Sequence, residues 1–199
     1  MPQTPKIQKI AVYCASSTKI APNYFSAAER LAEIFAENNI ELIFGAGKMG
    51  LMGKLADTMV RLGGKMTGVI PEFMVSLQWH HPQCTELVIT KDMAERKTTI
   101  WQRADALVAL PGGIGTLDEI SEVLSLKQLG QLSQPIVFVN TDGYYDGLIQ
   151  LLHRFMDEKF MSPVFDKMFR VVSTPEEVLP AIAEQDGWSI DVAQKHTHI

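Results

Sequence analysis

The strongest constraint on the fold lies in residues 106–119, where an apolar run is followed by Pro111, three glycines and the start of a helix. A short, continuous apolar run such as 106–110 is typical of a strand that is buried on both faces of a parallel sheet. From Thr116 to residue 129 the apolar residues recur at helical spacing. The positions expected to share the buried face of this helix are Leu117, Ile120, Val123 and Leu124. The polar positions expected to point elsewhere are Asp118, Glu122 and Lys127.

The glycine loop and the helix that follows it predict an anion-binding site. At a helix N-terminus the first backbone N–H groups have no partner within the helix, and the helix dipole is positive. Because the glycines lack Cβ atoms, a phosphate can come close to those N–H groups. The residues expected to form this phosphate site are Gly112, Gly113, Ile114, Gly115 and Thr116.

Glu119 lies in the first turn of the same helix, where a carboxylate would repel a bound phosphate. One interpretation is that Glu119 faces another part of the ligand, such as its sugar. The other is that Thr116 and Glu119 form a capping box, in which the carboxylate accepts from the N-cap amide. Both interpretations fit these residues.

The rest of the chain alternates predicted strands and helices about every 25 residues, which is typical of a parallel sheet covered on both faces. We therefore expect an α/β fold, a single-domain Rossmann-like doubly wound parallel sheet of about six to seven strands. Strands are predicted at 7–14, 40–44, 65–70, 86–90, 106–110, 135–140 and 169–172. Helices are predicted at 24–38, 50–62, 92–103, 116–129 and 144–158, with a last helix capped by Thr174 and started by Pro175. Residues 1–184 form the predicted Rossmann-like domain, and residues 185–199 a polar C-terminal tail.

Four segments follow the carboxyl ends of predicted strands and are therefore expected on one rim of the sheet, where ligands of such folds bind. They are Ser16-Ser17, 45–50, 71–82 and 112–116. The irregular segment 72–83, with Trp79, His80 and His81, predicts a long loop lining the site. For hydroxyls after the first strand, such as that of Ser17, helix capping is favoured as the interpretation over phosphate binding.

A second glycine motif spans residues 45–50 and matches G-x-G-x-x-G, with Glu72 near the place of a ribose-binding acid. The dinucleotide fingerprint normally follows the first strand, whereas this motif follows the second, so a nicotinamide or flavin cofactor is disfavoured. A lysine in such a loop, here Lys48, is more often solvated than bound to phosphate. A Walker A motif is missing from the sequence.

Arg96 lies near the start of the helix that leads into the central strand, four residues after Asp92. Taken alone, this spacing favours a surface ion pair over a guanidinium directed at the rim. His80 and His81 are adjacent, but no cluster of metal ligands at a suitable spacing accompanies them. We therefore expect neither a metal nor another cofactor.

Composition limits the function further. A net charge of −5 over 199 residues argues against a surface that binds nucleic acid. Two cysteines, Cys14 and Cys84, are too few for a disulfide framework and predict free thiols in a reducing cytoplasm. Neither an apolar leader in residues 1–6 nor a stretch able to span a membrane is found in the sequence.

Residues 111–119, P-G-G-I-G-T-L-D-E, resemble the P-G-G-x-G-T-x-x-E signature of the LOG family of phosphoribohydrolases, long described as lysine decarboxylases. Arg96-Lys97 matches the R-K of the family's M-H-x-R-K motif, which here begins at Met93. Gly45 and the G-L-M-G of residues 50–53 resemble its second-strand motif, and Asp142-Gly143-Tyr144-Tyr145 its later turn. The similarity extends from about residue 7 to residue 179.

The resemblance implies hydrolysis of the N-glycosidic bond of a nucleoside 5′-monophosphate, AMP or N6-modified AMP, to free base and ribose 5-phosphate. It implies a catalytic pair, Glu119 and Arg96, in which Arg96 orients the acid and ribose or assists the departing base. Substrate contacts are expected from the phosphate loop together with Lys97, Ser17, Gly45, Gln78 and Met93. It also implies a homodimer with helices of one sheet face as the interface.

The chain departs from the family pattern at three positions: Ala94 replaces a histidine, Ala46 a glycine, and Gln78 a glutamate on the base side. The pair is retained, whereas the loop that would sense the base differs. A decarboxylase that forms a Schiff base is improbable because no lysine is placed beside a matching acid. The alternative is a carrier of the same fold that binds a nucleotide or pterin-like cofactor without cleaving it; it would need the glycine loop but neither Glu119 nor Arg96.

Overall fold

The computed structural model describes residues 7–184, 188 and 190–196. Within these ranges one parallel sheet contains the strands β1 (Lys9–Tyr13), β2 (Glu41–Phe44), β3 (Met66–Pro71), β4 (Glu86–Thr90), β5 (Ala106–Ala109), β6 (Ile136–Val139) and β7 (Arg170–Val172). Their order across the sheet is β4-β3-β2-β1-β5-β6-β7. The predicted doubly wound α/β fold is therefore confirmed.

The α-helices of the same ranges connect the strands or follow them. They are α1 (Pro22–Glu37), α2 (Gly50–Arg61), α3 (Glu72–Ser76), α4 (Met93–Gln102), α5 (Ile114–Gln128), α6 (Asp146–Asp157), α7 (Val178–Ala183) and α8 (Ile190–His196). Short 3₁₀ segments occur at Thr141–Gly143, Pro163–Met168 and Pro175–Glu177. The last of these begins with a capping box between Thr174 and Glu177, which confirms the predicted helix start.

Side chains of the central strand alternate between two cores, as the pleat of a strand requires. Ile10 and Val12 pack with α1, α2 and α7 on one face of the sheet. Ala11 and Tyr13 pack with α4, α5 and α6 on the other. Because both faces are covered, the inner strands are buried along almost their whole length.

The order in which the chain adds strands reverses between β1 and β5, which pair in parallel but are far apart in sequence. From β1 the chain builds outward through β2, β3 and β4, and from β5 it builds the other way. The loops after β1 and β5 diverge at this point and leave a crevice beyond the carboxyl ends of the strands. This crevice holds the candidate site.

Helix α5 begins at Ile114, two residues before the predicted start, with Gly113 as its N-cap. Thr116 therefore lies inside the helix, so the capping-box interpretation of Thr116 and Glu119 is wrong. The predicted faces also need two corrections. Leu117 is exposed, and Lys127 is buried with its Nζ donating to the carbonyl of Gln134 (2.7 Å).

The predicted tail is in part ordered. Trp188 contacts the ring of Phe165, with a 5.8 Å centroid separation, and Ala193 of α8 is fully buried. The remaining predicted tail positions, 185–187, 189 and 197–199, lie outside the described residues, as do residues 1–6. Across the described ranges, every helix is too short or too polar to cross a membrane.

The loops that follow β1 and β2 are in contact beside Gly50. Leu51 N–H, one residue later, donates to the carbonyl of Ala15 (2.9 Å). Gly50 has a φ of +62°, and a Cβ there would lie 2.5 Å from the backbone carbon of Ser16. Gly63 has a similar φ of +68°, but a Cβ there would meet nothing within 4 Å. The two glycines thus share a backbone conformation and differ in their surroundings.

We expect Gly63→Ala to lower the free energy of unfolding by about 1–2 kcal/mol through backbone strain alone. Gly50→Ala should cost at least about 3 kcal/mol, because the methyl group also collides with main-chain atoms that cannot rotate away. Urea unfolding of both variants measures the difference. Equal losses would mean that the contact between the two loops is not tight.

Candidate active site

A cleft of about 760 Å³ lies over the carboxyl ends of β1, β2, β3 and β5. Each of the four segments that the sequence places on one rim contributes to its wall, including Ser16, Gly47, Trp79 and Gly115. The volume is that of an ordinary small-molecule site. The expectation that these loops share one site is confirmed.

One end of the cleft is formed by Gly113, Ile114, Gly115 and Thr116 at the start of α5. Hydrogen bonding within this helix starts at Leu117, whose N–H donates to the carbonyl of Gly113 (3.0 Å). The N–H groups of the preceding turn are thus available to a ligand, and the helix dipole favours an anion beside them. Ser17 lines the cleft as predicted.

Two exposed lysines, Lys19 and Lys48, also line this cleft. Lys48 belongs to the glycine motif of residues 45–50, for which the sequence predicts a solvated lysine. No sequence motif points to Lys19. Both lie in loops that follow the carboxyl ends of strands. Their charges add to the positive potential of the helix terminus.

Arg96 and Glu119 form a nearly buried ion pair on the floor of the cleft. The Arg96 Nη1–Glu119 Oε1 distance is 2.7 Å, and the side chains are only 9% and 11% exposed. The surface pair expected between Asp92 and Arg96 is therefore wrong. Asp92 instead caps α4, with its Oδ1 accepting from Glu95 N–H (2.9 Å).

The guanidinium of Arg96 is held on two further sides. Its Nε donates to the carbonyl of Val69 within β3 (3.2 Å). A Cβ built on Gly45 would lie 1.9 Å from Nη2, so the glycine after β2 provides the space that the guanidinium occupies. A side chain at Gly45 would force the tip of Arg96 to shift from this position.

Burial raises the pKa of Glu119 above its ordinary value, and the positive charge of Arg96 opposes that rise. Two neighbours of the pair are kept neutral. Burial raises the pKa values of Tyr13 and Cys14, and the charge of Glu119 raises them further. Cys14 lines the cleft as a thiol, which is a poor nucleophile.

Three predicted contact residues lie apart from the lining of the cleft. The Nζ of Lys97 faces Glu122 (2.5 Å) and Asp118 (3.1 Å), so two carboxylates occupy its charge. Gln78 is exposed, and the carbonyl of Gly112 accepts from a tyrosine hydroxyl. The segment 72–83, predicted as a long loop, begins with the short helix α3, and its residues Met74 and Trp79 line the cleft.

The lining of the cleft is also rich in methionine. Its large apolar side chains include Met49, Met52, Met74, Trp79 and Met93. Only Met93 was among the predicted contacts, because scattered methionines in loops carry no sequence pattern. Such flexible, polarizable side chains suit a planar ring with a variable substituent.

The Trp79 segment is fastened to the Gly45–Lys48 loop. His80 pairs with Gly47 in an antiparallel bridge, and Lys48 N–H donates to the carbonyl of Trp79 (3.1 Å). His81 is buried, with its Nε2 3.1 Å from Asp57 Oδ1. Among the described residues no three His, Cys, Asp or Glu side chains are grouped to hold a metal ion. Glu72 is exposed at the start of α3.

Solved structures share this fold at low identity. The molybdenum cofactor binding protein from Rippkaea orientalis superposes with a TM-score of 0.68 at 17% identity, covering 90% of this chain and 98% of that one. The molybdenum cofactor carrier protein from Chlamydomonas reinhardtii gives a TM-score of 0.69 at 18% identity, with the same coverage. At these identities the similarity shows the fold alone.

Sequence relatives are much closer. Cytokinin riboside 5′-monophosphate phosphoribohydrolase LOG7 of Arabidopsis thaliana is 36% identical over 190 residues, which is 96% of this chain and 88% of the relative. The probable phosphoribohydrolase LOGL6 of Oryza sativa subsp. japonica is 34% identical over 87% of this chain and 70% of the relative. Residues 52–182 match the family model described as "Possible lysine decarboxylase". The chain therefore belongs to that family, the LOG family to which its glycine signature points.

Proposed function

We propose that this protein is a hydrolase that cleaves the N-glycosidic bond of a nucleoside 5′-monophosphate to give free base and ribose 5-phosphate. The substrate would be AMP or an N6-modified AMP such as a cytokinin ribotide. The observation that carries the proposal is the buried Arg96–Glu119 pair beside a helix N-terminus in one cleft. The names of the sequence relatives support it.

In this proposal the N–H groups at the start of α5 bind the 5′-phosphate, and Glu119 lies about one sugar away. Water adds to C1′ as the bond between C1′ and the base nitrogen breaks, and the base leaves with a proton. As C1′ gains positive charge, the Glu119 carboxylate stabilises it or takes the proton of the attacking water. Phosphate binding remote from the broken bond positions the sugar.

Arg96 would act mainly by orienting Glu119. Its contacts with Glu119 and with the carbonyl of Val69 fix the guanidinium from two directions. Its charge also opposes the rise that burial causes in the pKa of Glu119. A carrier would gain nothing from this buried pair.

The first test compares substrates. We expect release of free base from AMP and from N6-isopentenyl-AMP, because the methionine side chains of the cleft can accept an apolar substituent. GMP, CMP and UMP complete the panel, with base release followed by liquid chromatography. Tight binding without release from any nucleotide would instead indicate a carrier.

Glu119→Gln should lower kcat by about 10³-fold, since it removes the acid–base group and keeps the shape of the side chain. Glu119→Ala should abolish hydrolysis. AMP should still bind to both variants, as calorimetry can measure. Glu122→Gln is the matched control, because Glu122 lies one turn further along α5 and pairs with Lys97. Normal turnover in Glu119→Ala would exclude a catalytic role.

The pH dependence should report the environment of Glu119. Because burial raises its pKa, kcat/KM should fall on the acid side at a pH above the value of about 4.3 of an ordinary glutamate. Arg96→Met removes the opposing charge and should move this fall to higher pH, measured in single turnovers with enzyme in excess. Lys97→Met removes a weaker influence and should move it less. An acid limb unchanged in Arg96→Met would show that another group titrates.

The homodimer and the cytoplasmic location remain predictions from the sequence. Light scattering would test the first, since a dimer has twice the 22.2 kDa mass of the chain.

A further inference from the structure

Two tyrosine hydroxyls donate hydrogen bonds to carbonyls of the turn between β5 and α5. The Tyr145 hydroxyl donates to the carbonyl of Leu110 (2.7 Å), and the Tyr144 hydroxyl donates to the carbonyl of Gly112 (2.6 Å). Both tyrosines come from the segment between β6 and α6, more than 30 residues further along the chain. The described mechanism gives them no task.

The other carbonyls of this turn also have donors. The carbonyl of Pro111 accepts from Ala15 N–H (3.1 Å), and that of Gly113 accepts from Leu117 N–H (3.0 Å). Four successive carbonyl oxygens, from Leu110 to Gly113, are therefore engaged within the protein. This matters because a carbonyl oxygen that turned toward a bound phosphate would repel it.

The Tyr144 contact has a directional consequence. Gly112 and Gly113 share one planar trans peptide, so its N–H points away from the carbonyl that Tyr144 holds. With glycine on both sides, this peptide could otherwise rotate with little steric resistance. Fixing the Gly112 carbonyl thus fixes the direction of the Gly113 N–H, and Gly113 lines the cleft.

The tyrosines are themselves held in place. Tyr145 is buried against Phe138 in an edge-to-face contact with a 5.1 Å centroid separation, and its N–H donates to Asn140 Oδ1 (2.7 Å). The ring of Tyr144 packs edge-to-face against Tyr145 and also against Tyr24, at 5.1 and 5.8 Å. The hydroxyls therefore approach the turn from a rigid aromatic cluster.

We propose that Tyr144 and Tyr145 are positioning residues for the turn between β5 and α5. They hold the carbonyls of the turn away from the ligand, so that the N–H groups of the turn face a bound phosphate. The proposal rests on the proposed function only in taking the ligand to be a phosphate ester. It requires that loss of either hydroxyl weakens phosphate recognition specifically and leaves recognition of the base and sugar intact.

The test measures dissociation constants for AMP and for adenosine, which lacks the phosphate, by calorimetry in a Glu119→Gln background that prevents turnover. Tyr144→Phe and Tyr145→Phe should each raise the AMP constant about tenfold, as expected for one lost hydrogen bond that orders a binding group. The adenosine constant should change by less than about twofold. Restoring Glu119 should show the same loss as a lower kcat/KM for AMP.

Tyr24→Phe is the matched control, because it removes a hydroxyl from the same aromatic cluster without removing a donor to the turn. It should leave both constants unchanged. Thermal unfolding identifies a variant that does not fold; Tyr144 is partly exposed, so Tyr144→Phe remains a test if Tyr145→Phe is too unstable.

An unchanged AMP constant in Tyr144→Phe would overturn the proposal. So would a parallel loss for AMP and adenosine, since that pattern indicates general loosening of the cleft. Because the readout is binding, weakened AMP binding by a protein that cleaves no nucleotide would leave this inference standing and refute the hydrolase.

Discussion

A guanidinium and a carboxylate, both nearly buried, meet on the floor of the cleft, and the rest of the site surrounds their contact. Burial of either charge alone would be strongly unfavourable, and removal of one partner of such a pair typically costs about 3–5 kcal/mol. The Arg96–Glu119 contact at 2.7 Å makes burial of both tolerable. The same burial gives the acid an unusual pKa, so one interaction determines both the stability of the floor and its chemistry.

The pair joins parts of the chain that are separated in the sequence. Arg96 comes from α4, Glu119 from α5, and the carbonyl that accepts from Arg96 belongs to Val69 within β3. Glu119 and the N-terminus of α5 are local neighbours on one helix, whereas Arg96 reaches the carboxylate from α4. The fold therefore places a helix N-terminus and a nearly buried ion pair within one cleft.

Local patterns were enough to predict the sheet, most of the helices and the loops that share one rim. Apolar periodicity and glycines at the ends of strands and helices depend only on residues close in sequence. They failed where partners are distant in sequence. Asp92 and Arg96 have the spacing of a surface pair, yet Arg96 turns inward because Gly45 leaves room for it and Glu119 neutralises it. Thr116 and Glu119 have the spacing of a capping box, but the helix begins earlier at Ile114. The resemblance to a family, rather than the spacing, pointed to the pair.

The empty space at Gly45 gives a simple criterion for comparing related sequences. The guanidinium of Arg96 fills the volume that a Cβ would need, so in a homologue with a larger residue at this position the tip of the arginine must shift. Such a protein can keep the glycine signature after β5 and still differ at the contact between arginine and glutamate. A backbone position remote from the signature therefore constrains the geometry of the buried pair.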